Sequence, residues 1–223
     1  MILGDEPPSR RSVPDAEVRP REQANAARDL VGRLRDALEI ARYRRQVRLW
    51  KRSGVRFGRG VLVMPTAFLD LTYGWMISIG DRTRIAREVR IFTHDASAQR
   101  DLGHGRVGPV TIGRDCLIAE RSSILPGVTI GDRVMVGVGS VVATDLPSNT
   151  RAMGVPARVY GTFDAWLEEM RQAISSGPRF GYDELHELPE SRRAATLERL
   201  HANGGHGYRL DPFSVSPYYV TPP

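Results

Sequence analysis

Residues 110–143, VTIGRDCLIAERSSILPGVTIGDRVMVGVGSVVA, carry an aliphatic side chain at every sixth position: Ile112, Ile118, Ile124, Ile130, Val136 and Val142. Two residues before each stands a small or compact one: Val110, Cys116, Ser122, Val128, Val134 and Ser140. Just after each comes Gly113, Ala119, Leu125, Gly131, Gly137 or Ala143. A period of six cannot line one face of a helix, whose period is 3.6, and it never settles into one long alternating strand. It suits a chain that runs a short strand, turns sharply and repeats, with three such sides closing a triangular coil. The aliphatic residue and the small one two before it then point inward, and Gly or Ala beside them allows the tight corner. Stacked coils bury one continuous column.

Upstream the same phase recurs at Ile79, Ile85 and Ile91, preceded by Ile77, Thr83 and Val89. It recurs once more at Phe57, Val63 and Leu69, preceded by Val55, Val61 and Ala67. These twelve hexads place the coil over residues 55–160. The phase breaks between Ile91 and Ile112, a gap of 21 residues that six does not divide, so a loop must leave the coil there. Thr93-His94-Asp95 stands at its base, and the loop carries Gly103, His104, Gly105 and Gly108.

On either side the character changes. Residues 1–21 are rich in Pro and charge and are expected to be disordered. Residues 22–54 form an expected helical segment: Leu30, Leu34, Leu38 and Ala41 recur at helical spacing, and Gly32 is the one glycine before Arg52. Arg33, Arg35, Arg42, Arg44, Arg45, Arg48, Lys51 and Arg52 crowd the other faces. Such a helix either packs its leucine stripe on the body or on a partner subunit, or rests on anionic lipid as a peripheral membrane contact. Residues 161–223 form a C-terminal extension. A short helix is expected over 162–174, with Phe163, Trp166, Leu167 and Met170 on one side, until Gly177-Pro178 breaks it. A second is expected over 191–201, and the Pro-containing tail from Tyr208 onward suits an extended path over the body or a neighbouring subunit.

Hydrophobic residues make up 41% and charged residues 26% of the 223, ordinary values for a globular protein. The net charge of +6 comes almost wholly from arginine, since Lys51 is the only lysine, and no nucleic-acid-binding motif accompanies it. Nucleic acid is therefore not an expected partner. Cys116 stands alone and cannot form an internal disulfide, so a reducing cytoplasm is the expected location. No apolar run of about 18 residues occurs, and no signal peptide is visible.

The segment TIGRDCLIAERSSILPGVTIGDRVMVGVGSVVATDLPSNTRAMGVPARVYG, residues 111–161, resembles the hexapeptide-repeat acyltransferases, in particular the galactoside, maltose and polysaccharide O-acetyltransferases. The resemblance covers about half the chain. It implies a mainly β fold, a left-handed parallel β-helix between the helical N-terminal segment and the C-terminal helical and irregular extension. It further implies a homotrimer with three active sites between subunits. The implied reaction moves an acyl group from acetyl-CoA or another acyl-CoA to a hydroxyl of a saccharide or glycosylated small molecule, without a metal.

The resemblance also assigns roles. A loop like the one after Ile91 covers the neighbouring active site in that family, and a histidine at its start is the catalytic base, the place held by His94. An imidazole suits the task, because it is neutral near pH 7 and can take a proton during attack. The run Phe68-Leu69-Asp70-Leu71-Thr72 resembles the family stretch in which a polar residue, often Asn, helps bind the acceptor. Asp70 is a departure bearing on which acceptor is held or on the protonation of His94. Asp95 is a candidate to orient the imidazole, although adjacent residues seldom face each other, and His104 is a candidate acceptor contact. For CoA the resemblance points to the backbone at Ala119 and Glu120 and at Gly137 and Val138. It also points to Arg158, which ends the closing motif Gly154-Val155-Pro156-Ala157-Arg158 and can pair with phosphate. Leu117 replaces a frequent aromatic residue, and Thr144 a frequent lysine. Cys116 lies in the inward register and is read as packing, not as a nucleophile. An N-acyltransferase acting on an amino sugar shares every one of these motifs. A non-catalytic scaffold on the same coil is a further alternative. So is a metal-dependent hydratase resembling γ-class carbonic anhydrases, though it needs three converging histidines and the repeat region holds only His94 and His104.

Overall fold

Short strands two or three residues long alternate with turns throughout the middle of the chain. The computed structural model describes residues 18–181, 185, 188–209 and 218–221, with side chains from Leu30 onward. The stretch expected to be disordered, 1–21, falls outside the described residues up to residue 17, as does the part of the tail over 210–217. Two units are distinguished, Met1–Arg42 and Tyr43–Pro223.

In the second unit the strands visit three sheets in rotation. The first sheet holds β1 (Arg56–Phe57), β4 (Ile77–Ile79), β9 (Val110–Ile112) and β12 (Thr129–Ile130). The second holds β2 (Leu62–Val63), β5 (Arg84–Ile85), β10 (Leu117–Ile118), β13 (Met135–Val136) and β15 (Thr150–Gly154). The third holds β3 (Phe68–Leu69), β6 (Arg90–Ile91), β11 (Ser123–Ile124) and β14 (Val141–Val142). All of these pairings are parallel, so the chain forms a three-sided parallel β-helix. β16 (Ala157–Thr162) folds back antiparallel on β15 and closes the second sheet.

The register explains the period of six. Ile85 pairs with Ile118 and Ile118 with Val136, while Ile91 pairs with Ile124 and Ile124 with Val142. Like positions therefore stack coil upon coil. From Val63 to Val142 every hexad aliphatic is buried, and so are the compact residues two before them, including Thr83, Cys116, Ser122 and Ser140. Full burial of one such aliphatic contributes about 1.5–3 kcal/mol. Buried hydroxyls are satisfied within the column: Thr83 Oγ1 donates to Gly113 O at 2.7 Å and Ser122 Oγ to Gly137 O at 2.9 Å.

The corners use a different device from the one expected. The left-handed backbone falls one residue before the compact position, and side chains other than Gly occupy it at Arg82, Glu88, Asp115, Arg121, Arg133 and Asn149. The small residue after the aliphatic one serves close stacking instead. A Cβ on Gly80 would lie 2.6 Å from the backbone of Gly113, and one on Gly113 would lie 2.6 Å from that of Gly131. Charges pair along the corners, with Arg82 on Asp115 at 2.6 Å and Arg121 on Glu88 at 3.0 Å.

Helix α1 (Val18–Arg52) contributes its last turns to the second unit: Tyr43 and Trp50 are buried, and Trp50 packs near Phe57 of the first coil. Tyr43 Oη donates to Tyr218 O at 2.6 Å, and Val220 N to Val61 O at 2.8 Å, so the end of the tail lies along the first coil. These aromatic residues cover an end of the column that would otherwise meet water, as capping does in solenoids. In the first unit the expected stripe of α1 is exposed at Leu30, Leu34 and Leu38. Past the coil, α2 (Phe163–Ser176) is capped by Thr162, whose hydroxyl accepts from Ala165 N at 3.2 Å. A further helix, α3, spans Glu190–Ala202.

Candidate active site

Two interruptions of the six-residue period fall at the same edge of successive coils. The first follows Leu69 and contains a single 3-10 turn, Gly74–Met76. The second follows Ile91 and carries the hairpin of β7 (His94–Asp95) with β8 (Arg106–Val107). Leu69 and Ile91 are paired in the third sheet, and Asp70 N donates to Ile91 O at 3.0 Å. The residues leaving each strand are thereby stacked, which sets Asp70 beneath the base of the loop.

There the Asp70 carboxylate meets His94, with Nδ1 to Oδ2 at 2.5 Å. The same oxygen accepts from Thr93 Oγ1 at 2.7 Å and Thr93 N at 3.1 Å, while Oδ1 accepts from Thr72 N at 3.0 Å. The Asp70 side chain is 2% exposed and that of His94 40%. Burial pushes the carboxyl of Asp70 up, but the hydrogen bonds from the Thr93 hydroxyl, His94 and the Thr93 and Thr72 amides outweigh it, and the net shift is downward. Asp70 is thus a charged acceptor held behind a partly exposed imidazole. Tyr73 stands edge-on to that imidazole with ring centroids 5.7 Å apart. Among the described residues none bonds Nε2 of His94.

The other loop residues sit elsewhere. Asp95 accepts from Ser97 N at 2.9 Å and from Arg106 at 3.3 Å, so it ties the two arms of the hairpin together. The bonds from Ser97 and Arg106 hold its carboxyl below the usual range. His104 is exposed, with Nδ1 2.6 Å from Leu102 O. The loop returns to the coil at Gly108, whose N donates to Thr93 O at 2.9 Å. A Cβ there would lie 2.7 Å from Gly127 N, so the return needs glycine.

Ala119, Glu120, Gly137 and Val138 form the edge between the second and third sheets. Ala119 N donates to Val136 O at 3.0 Å, Gly137 N to Ala152 O at 2.8 Å and Gly139 N to Glu120 O at 2.8 Å. That edge is exposed and apolar at Val138, Met153 and Val155. Arg158 is exposed on β16, with its guanidinium 3.3 Å from Ala157 O. The candidate residues therefore occupy two edges of the coil: His94 and Asp70 where the third sheet leads to the first, and Ala119 to Val138 where the second leads to the third.

One concavity lies against the second sheet. It measures about 500 Å³, and Leu117 and Met135 line it together with Phe163 and Trp166 of α2. Arg82, Arg84 and Arg133 border it, the last also paired with Asp164 and 5.3 Å from the Phe163 ring. Sequence reasoning missed this wall, although Phe163 and Trp166 were legible as one face of a helix. It also missed Thr93, Thr72 and Tyr73, which follow from the stacking of the two interruptions. Cys116 is buried, and burial pushes its thiol up to about 11, which leaves it neutral at pH 7. Among the described residues no three His, Cys, Asp or Glu side chains cluster as a metal site.

The model of the bacterial transferase hexapeptide (six repeats) matches residues 109–144. The putative colanic acid biosynthesis acetyltransferase of Escherichia coli K12 is 29% identical over 137 residues, covering 52% of this chain and 74% of that protein. The galactoside O-acetyltransferase of the same strain is 37% identical over 94 residues, covering 41% of this chain and 46% of that one, so the match spans about half of that relative. A solved maltose O-acetyltransferase from Clostridium difficile 630 is 28% identical, covering 56% of this chain and 88% of that one, with a TM-score of 0.42. The six-repeat match to the bacterial transferase hexapeptide falls on hexads that are stacked here in three parallel sheets, and this stretch of the chain is similar to those transferases.

Proposed function

We propose that the protein is a CoA-dependent O-acyltransferase that moves an acetyl group from acetyl-CoA to a hydroxyl of a saccharide or glycosylated small molecule. The observation that carries this reading is the pair formed by His94 and the buried, charged Asp70. Asp70 accepts the Nδ1 proton and so keeps Nε2 as the free acceptor of the imidazole. Nε2 takes the proton of the acceptor hydroxyl as its oxygen attacks the thioester carbonyl. The imidazolium that forms is stabilised by the Asp70 charge. Collapse of the tetrahedral adduct breaks the C–S bond, and the same Nε2 returns the proton to the CoA sulfur. Backbone N–H groups on the rigid coil are suited to the oxyanion. No covalent enzyme intermediate is needed, consistent with the neutral, buried thiol of Cys116.

Residues 55–160 are the acyltransfer unit in this reading, wound left-handed, with 22–54 and 161–223 as appendages. The acyl-CoA lies along Ala119, Glu120, Gly137 and Val138, with Arg158 near a phosphate. Leu117 and Met135 are each two residues from that path. The aromatic and arginine-lined cavity they share with α2 accordingly suits the adenosine and phosphate end. Because the base and the CoA edge lie on different edges of the coil, one protomer supplies the base and its neighbour the CoA edge. This favours a homotrimer with three sites between subunits.

The test is release of free thiol from acetyl-CoA in the presence of neutral sugars, nucleotide sugars and amino sugars. Acceptor-dependent release with an ester product, cleaved by mild base, is expected. An amide product alone would shift the reading to N-acyl transfer. Bound CoA with no turnover across the panel would support the scaffold.

A further inference from the structure

Four large aliphatic side chains of α1 lie in open solvent within one unit of the chain. Leu30 is 59% exposed, Val31 66%, Leu34 56% and Leu38 59%. At 100° per residue they fall within an arc of about 100°, one continuous stripe. Arg33 borders it on one edge, and Arg35 and Arg42 border it on the other. Asp36 falls on the far side, and Glu39 lies just beyond Arg35. Averaged over all 35 residues α1 has no single apolar face, so the stripe is a local feature of residues 30–41 and not a property of the whole helix. A shallow groove along it is lined by Val31, Leu34, Leu38, Arg35 and Arg42, with Glu39 at its rim.

We propose that this segment of α1 docks on the surface of an anionic phospholipid bilayer, with the leucine stripe in the acyl boundary and Arg33, Arg35 and Arg42 on the headgroups. The charge distribution selects this occupant. Arginine on both shoulders of an apolar stripe puts each guanidinium level with lipid phosphates while its methylene stem covers apolar surface. A second copy of the helix seated on the stripe would bring Arg33, Arg35 and Arg42 against a shoulder with one acidic side chain, Glu39, and would leave most of that charge unpaired. The segment is far too polar to span: no helix among the described residues is long and apolar enough to cross a membrane. Attachment is therefore peripheral and reversible. Each arginine near an anionic surface contributes roughly 1 kcal/mol and each is screened by salt.

The full chain is sedimented with vesicles of phosphatidylcholine alone and of phosphatidylcholine with about one-third phosphatidylglycerol. Binding at least about tenfold stronger to the anionic vesicles, and weakened by salt, is expected. Leu34→Glu/Leu38→Glu and Arg33→Gln/Arg35→Gln/Arg42→Gln should each lower that binding about tenfold or more, with unchanged circular dichroism and unchanged transfer to a soluble acceptor. Equal binding to both vesicle types, or none to either, would overturn the proposal. So would a drop in the native mass of Leu34→Glu/Leu38→Glu without lipid, which would show another copy on the stripe. The vesicle-binding, circular-dichroism and native-mass readouts do not depend on acyl transfer.

Discussion

Asp70 keeps its charge inside the coil because four hydrogen bonds replace the water it loses, while His94 keeps one nitrogen at the surface. The carboxylate serves the imidazole and is too enclosed to meet a free acceptor, so its role in the proposed reaction is positional. Asp70→Asn should lower kcat by two to four orders of magnitude, because the amide no longer fixes the tautomer, and leave the KM for acetyl-CoA near its wild-type value. Steady-state kinetics on the purified variant checks the split, and a rise in KM alone would return Asp70 to acceptor binding. The folded pKa of Asp70 is below its ordinary value near 3.9, so its ionised form is the stabilised one. That stability is complete above about pH 4 and is lost as the pH falls through the lower, folded value. Thermal melting followed from pH 6 to pH 2.5 should therefore decline more steeply in wild type than in Asp70→Asn. Cys116→Ala should retain turnover and fold, since the thiol is buried and neutral; complete loss of turnover in a folded variant would make the thiol a participant.

Among the elements, the coil tolerates charge at its corners and refuses volume at its stacking contacts. Gly80→Ala would drive a Cβ to 2.6 Å from Gly113 backbone, which cannot move without shifting the next coil. A loss of about 1–3 kcal/mol is expected by urea denaturation. Ile118→Ala, at the centre of the second sheet, should cost about 2–5 kcal/mol through the cavity it leaves. The repeat was legible because each inward position is set by one local rule that recurs in phase within each of the runs 55–69, 77–91 and 110–142. The corner chemistry was less so, since Arg82, Glu88 and Arg121 adopt a left-handed backbone that residues of their kind seldom choose. His94 could be picked out from the break after Ile91. Its partner could not be found by sequence adjacency, which suggested Asp95. The pairing with Asp70 depends on Leu69 and Ile91 stacking across 22 positions, a register that exists only once the coils are wound. The helices after Gly161 were visible from their spacing, but the cavity α2 makes with Leu117 and Met135 depends on where that helix docks.

At the scale of the whole molecule, the separation of the two edges is the feature with most consequence. With the proposed base at the start of the loop and the proposed CoA path one sheet away, the proposed site would be completed by a neighbour, and Val138, Met153 and Val155 are exposed and apolar there. Sedimentation should then give a native mass three times that of the 24.8 kDa chain, independent of lipid. Mixing His94→Ala protomers with protomers altered only at the CoA edge should restore activity to a fraction of mixed sites. Whether His94 is the base is decided by the rate of thiol release from acetyl-CoA with a competent acceptor, wild type beside His94→Ala. A fall of about a hundredfold to ten-thousandfold in kcat is expected for the variant, with acetyl-CoA still bound. Equal rates in the two proteins would remove His94 from the chemistry and contradict that role.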